Sequence, residues 1–92
     1  MHIPRLSTKE FLILDLLVRG GEMFGLQVVR ARPDKLALGT VYVTLQRMET
    51  KGFVSSRLVD DAAGGAARRM YRPTAKGYRI YSALGREVAA GG

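Results

Sequence analysis

At 92 residues with no Cys and a single His, the chain makes one domain at most, and neither a disulfide framework nor a thiolate metal site is open to it. Its formal net charge of +7 and pI near 10.4 favour a polyanionic partner, nucleic acid being the usual one. A basic, soluble surface with no specific ligand is the plainer alternative. The charge is uneven: residues 39–79 hold eight Lys or Arg against three acids. Eleven of the fifteen basic residues are Arg, whose planar fork suits phosphate and guanine better than solubility alone requires. No apolar run reaches the ~20 residues of a membrane span. The longest, Phe11–Val18, carries Asp15 and reads as a folded helix of a cytoplasmic protein, not as a signal peptide.

In chain order, Ser7-Thr8-Lys9-Glu10 has the form of a capping box. It predicts a helix from Thr8 to about Arg19, stopped by Gly20-Gly21. That helix is apolar almost all round, so one side meets the core and another a partner subunit. A second helix is expected over Glu22–Arg32 on the spacing of Met23, Leu26 and Val29, against the grain of Gly25. Pro33 ends it.

Residues 39–51 fit two periods. A strand would align Val41, Val43 and Leu45; a helix puts Val41, Leu45, Met48 and Gly52 on one stripe, with Leu38 extending it backwards. The helix accounts for more residues and closes well, with Lys51 in its last turn and Gly52 as its cap. Its outward arc then holds Gly39, Thr40, Val43, Gln46, Arg47, Thr50 and Lys51. Phe53–Val59 and Arg68–Arg72 follow as a hairpin with Asp60–Ala67 as its tip. A last helix starts at Pro73-Thr74, with Thr74 as N-cap. It repeats Tyr78, Tyr81, Leu84 (or Gly85) and Val88, and Ala89–Gly92 frays.

Three helices, a basic hairpin and a final helix make a mainly α, α+β fold, the winged helix-turn-helix. Residues 1–73 would be its DNA-binding part and residues 74–92 a dimerisation helix of the same compact unit. The third helix would enter a major groove with Thr40, Val43, Gln46, Arg47 and Lys51. Tyr42 sits at the margin of its buried stripe, equally suited to packing and to a phosphate. The hairpin would follow the backbone or a minor groove with Arg57 and one of Arg68 and Arg69, which alternate sides in a strand. Glu49, an acid among these, should pair with an Arg of the wing. Phe11 and Leu14 of the first helix, with Tyr78, Tyr81, Leu84 and Val88 of the last, would form a homodimer seam. Catalysis is not expected, since there is no Cys, no usable His and no spacing that pairs carboxylates. The rival reading is a winged-helix protein–protein adaptor without specific DNA binding.

Gly39-Thr40-Val41-Tyr42, then Leu45, Arg47, Met48, Glu49, Lys51, Gly52 and Phe53, resembles the recognition-helix signature of PadR-like transcriptional regulators. Arg68-Arg69-Met70-Tyr71-Arg72-Pro73-Thr74-Ala75-Lys76-Gly77 resembles their wing-to-helix segment, and Gly25-Leu26 their G-Y pair. The resemblance spans roughly Leu6–Leu84. It departs at Leu26, where the family often has Tyr; at Pro73, which replaces Leu; and at the tip, which lacks a Gly-Arg-Pro run. It implies a small member whose homodimer reads an inverted repeat on double-stranded DNA and represses transcription, with no cofactor, metal or membrane. Some members bind a small aromatic or cationic effector at the dimer interface, for which Phe11, Tyr78 and Tyr81 are the candidates here, in the absence of Trp.

Overall fold

The computed structural model describes residues 6–60 and 65–91, with side chains as far as Gly85. His2, the tip residues Asp61–Gly64, Gly92 and the side chain of Val88 lie outside these.

Helix α1 (Thr8–Gly20) begins at the expected capping box. The Ser7 hydroxyl accepts the Glu10 N–H at 3.1 Å, and the Glu10 carboxylate accepts the Ser7 N–H at 2.8 Å. Two N–H groups that a helix start leaves unpaired are thereby satisfied. Gly21, at φ 82°, ends the helix with its N–H on the Leu17 carbonyl.

The second helix is shorter than its apolar spacing predicts. Met23–Phe24 is extended and forms strand β1, and only Gly25–Ala31 is helical (α2). The Gln27 side chain accepts the Phe24 N–H at 2.8 Å and so marks the helix start after Phe24. Met23 and Phe24 instead pair with Tyr71 and Met70. Tertiary pairing has overridden a local helical pattern too short to nucleate by itself.

Helix α3 (Leu38–Thr50) is followed by strands β2 (Val54–Val59) and β3 (Arg68–Pro73), and then by α4 (Ala75–Gly91). The sheet is antiparallel with order β1-β3-β2. The winged helix is therefore as expected, but its wing is a three-stranded sheet and not a two-stranded one. The fraying expected from Ala89 does not interrupt α4 before Gly91.

Val41, Leu45 and Met48 are wholly buried, as their spacing requires, beside Ile13, Leu14 and Leu17 of α1. Leu38 departs from that stripe and is 46% exposed, because Leu36, in the preceding loop, fills the core there. The end of α3 is closed by paired bonds: Gly52 N–H to the Glu49 carbonyl at 3.0 Å and Phe53 N–H to the Met48 carbonyl at 2.9 Å. This double closure needs a residue with positive φ, and Gly52 supplies it at 84°. Met48 and Phe53 are both buried behind it.

The start of α4 is tied to that same turn. The Thr74 hydroxyl donates to the Gly52 carbonyl at 2.6 Å and caps α4 by accepting the Gly77 N–H at 3.0 Å. Gly77 lies so close that an added Cβ would stand 2.1 Å from the Phe53 carbonyl oxygen. Replacing Gly77 with Ala should therefore cost about 1–3 kcal/mol through overpacking. Gly85→Ala, whose Cβ meets nothing within 4 Å, should gain roughly 0.5–1 kcal/mol from helix propensity. Urea unfolding of the two variants should shift the midpoint in opposite directions.

Candidate nucleic-acid interface

With Val41, Thr44, Leu45 and Met48 buried, the opposite arc of α3 is forced outward. Val43 is 56% exposed and Tyr42 45%; Gly39, Gln46, Arg47 and Thr50 are exposed, and Thr40 is half-buried. Thr44, which lies beside the buried stripe, satisfies its hydroxyl by donating to the Thr40 carbonyl at 2.7 Å. The Tyr42 ring lies against Gly25, where an added Cβ would stand 2.7 Å from its Cε1. Tyr42 thus packs with one edge on the start of α2 and leaves nearly half its surface outside. Gly25, a poor helix former by propensity, is the seat for that ring.

Lys51 is held differently from the rest of the arc. Its ammonium donates to Glu10 at 2.9 Å, and that carboxylate is only 3% exposed. The bond fastens the start of α1 to the end of α3. Lys76 in turn donates to the Lys51 carbonyl at 2.8 Å and sits 5.1 Å from the Phe53 ring. A cation at the carbonyl end of a helix is favourably placed in its dipole.

The alternation of the sheet separates the wing arginines. Register pairs Leu58 with Arg69 and Ser56 with Tyr71, on the face that buries Val54 and Tyr71. Arg57 pairs with Met70 and Val59 with Arg68 on the other face. There Arg57 donates to Glu22 at 3.0 and 3.2 Å, and Arg68 lies 4.3 Å over the Phe24 ring. These two cations bind β1 and its approach to the hairpin. Arg69 stands on the α3 side and donates to the Ser56 hydroxyl at 2.9 Å, which donates to Glu49 at 2.6 Å. Glu49 has no ion pair among the described residues; it meets the wing through Ser56, because the two strands place the hydroxyl between carboxylate and guanidinium.

A family model described as "Transcriptional regulator PadR-like family" matches residues 13–83. The chain belongs to the PadR-like family of transcriptional regulators. This is a family of regulators and not of enzymes. No curated protein matches the sequence. Among solved structures, a PadR family regulator from Clostridium difficile R20291 is similar with a TM-score of 0.77 and 24% identity, over 88% of this chain and 86% of that one. Bacillus subtilis PadR in complex with operator DNA gives a TM-score of 0.78 at 20% identity, over 85% of this chain and 46% of that one. A PadR-like transcription factor from Bacteroides fragilis gives 0.78 at 21%, over 89% and 81%. At such identities the likeness is one of fold.

In this PadR-like chain Leu14 is wholly enclosed in the chain's own core. It has no surface to offer a second copy, because it faces α3 and Gly77. Phe11 and Tyr81 stack on each other with centroids 5.4 Å apart, and the Tyr81 hydroxyl donates to Asp15. Tyr78 is exposed and lines a separate cleft with Arg72, Ser55 and Glu22. The three rings considered for an effector are thus not brought together in one chain. Leu84 is half-buried one turn beyond Ile80 and Tyr81, which pack on the core. Among the described residues no His, Asp or Glu cluster could hold a metal ion, and no helix is long and apolar enough to cross a membrane.

Two acids acquire roles that spacing did not disclose. Asp15 breaks the apolar run of α1 because it receives Tyr81 from α4 and Arg19 one turn on. Burial works to raise its carboxyl, yet those two donors hold it below its ordinary range. Burial likewise works to raise Glu10, but the Ser7 N–H, Lys51 and the Ser7 hydroxyl hold it below the usual 4.5. A carboxylate lowered in the folded state contributes stability that is present above its unfolded pKa and lost as pH falls through the folded one. Denaturant stability should therefore drop as pH is taken below 4.5. Glu10→Gln should be less stable at neutral pH and show a shallower acid drop; parallel pH profiles would remove Glu10 from this account.

Proposed function

We propose that the chain is a sequence-specific DNA-binding regulator that acts as a homodimeric repressor on an inverted repeat. One observation carries this reading: α3 is anchored by a fully buried stripe and by the Lys51–Glu10 bond, and turns Gly39, Val43, Gln46 and Arg47 to solvent. A rigid helix with small and hydrogen-bonding side chains on its free face matches the width and chemistry of a major groove. Bacillus subtilis PadR, of similar fold, was crystallised on operator DNA, which supports the same use here.

Thr40, Tyr42, Val43, Gln46 and Arg47 would face the groove, and Arg69 the flanking backbone or minor groove. Lys51 would act chiefly by orienting α3, since its charge is engaged by Glu10. Arg57 and Arg68 serve the sheet first and add to the field of the wing. Residues 1–73 form the DNA-binding part and residues 74–92 the dimerisation helix. Tyr78, Leu84 and Val88, together with the Phe11–Tyr81 pair, would meet the second copy. Two recognition helices must then enter successive major grooves, roughly 34 Å apart.

Duplex binding measured against salt tests the reading. Affinity should fall steeply with salt, and Arg69→Ala should reduce the slope by about 1. Arg57→Ala should change it less, being paired with Glu22. Arg47→Ala should lose about 1–3 kcal/mol of discrimination at one position of the site; a uniform loss across sequences would make Arg47 a phosphate contact. Binding without salt dependence would favour a protein partner instead.

Light scattering tests the assembly. The chain should be a dimer at micromolar concentration, and Tyr78→Asp with Leu84→Asp should make it a folded monomer. A dimer that survives both changes would place the seam elsewhere.

A further inference from the structure

On the outward arc of α3, one apolar side chain has no packing reason to be there. At about 100° per residue, Val43 lies roughly opposite the buried stripe of Val41, Leu45 and Met48, and it is 56% exposed. Its branched side chain is stiff about χ1. Side chains on a helix lean back over the turn before them, so Val43 leans towards Gly39, four residues earlier. Gly39 carries no side chain to cover it.

Nothing among the described residues requires that glycine. A Cβ added at Gly39 would meet no atom within 4 Å, and its φ is not positive. The contrast is with Gly25, whose Cβ would strike the Tyr42 ring, and Gly77, whose Cβ would strike the Phe53 carbonyl. Gly39 disfavours the helix without relieving any contact with the described residues. Together, Gly39 and Val43 present a small, open apolar spot on the free face: an exposed, stiff isopropyl group beside a position that carries no side chain. Arg47 lies one turn further along the same arc, and Gln46 beside it.

We propose that the Gly39–Val43 apolar spot packs against the C5 methyl of a thymine and makes that thymine a specificity-determining base of each half-site. Thymine is the only ordinary DNA base that projects a methyl group into the major groove. The proposal rests on α3 being the DNA-reading helix. Gly39 lets the base edge approach, and Val43 excludes water from the methyl. Arg47 and Gln46 address the neighbouring base pairs.

The test uses the full chain and a duplex selected from a random pool. Each thymine is replaced in turn by uracil, which removes the methyl and nothing else. One symmetry-related pair of positions should show about a fourfold loss of affinity per half-site, the worth of one buried methyl group. Val43→Ala should bind both duplexes equally. Gly39→Ala should bind the thymine duplex more weakly while its melting temperature stays level or rises. Salt-dependent, sequence-selective binding with no sensitivity to any thymine methyl would overturn this contact and leave the DNA-binding reading standing. Sensitivity that persists undiminished in Val43→Ala would do the same. Absence of any selective duplex binding would overturn both.

Discussion

The turn Lys51-Gly52-Phe53 is the joint on which the rest of the molecule hangs. It closes α3 with two backbone bonds that only a positive-φ residue permits. Its Gly52 carbonyl receives Thr74, its Phe53 carbonyl receives the Thr74 N–H, and Gly77 presses against that carbonyl with no side chain between. On its other side Lys51 reaches Glu10, at the capping box of α1. Three helical ends, those of α1, α3 and α4, are thereby related through three consecutive residues that lead directly into β2. In a domain of 92 residues, which can bury only a modest core, such a joint does what a larger interior would otherwise do.

That joint fixes the attitude of α3. A helix held by one stripe of large side chains can still roll about its axis, and a roll of about 40° would exchange Val43 for Arg47 at the centre of the free face. The Lys51–Glu10 bond on one flank and the Glu49–Ser56–Arg69 chain on the other restrain that roll from opposite sides. The seat of Tyr42 on Gly25 adds a third restraint near the start of α3. The charged residues around α3 thus divide into those that aim the helix and those left to meet a partner.

The wing shows the same division. Arg57 and Arg68 spend their interactions on Glu22 and Phe24, which draws β1 onto the hairpin. Counting positive charges in the sequence could not separate them from Arg69. Strand alternation alone said that Arg68 and Arg69 part ways; the register, with Tyr71 buried between the sheet and α3, says which goes where.

Much of this was legible beforehand. The capping box at Ser7–Glu10, the Val41–Leu45–Met48 stripe, the Gly52 cap and the Thr74 N-cap are local signals, decided within one or two turns of chain, and each is found as expected. So is the mainly helical winged fold, because the order of such elements admits few arrangements. Tertiary structure alone decided the rest. Met23 and Phe24 became a strand because an edge was waiting for them. Leu38 left the core because Leu36 took its place, and Leu14 turned wholly inward. Lys51 met Glu10 across forty-one positions of sequence. The physical reason is common to these cases: they depend on which surface arrives opposite a residue, and periodicity describes only the residue's own element.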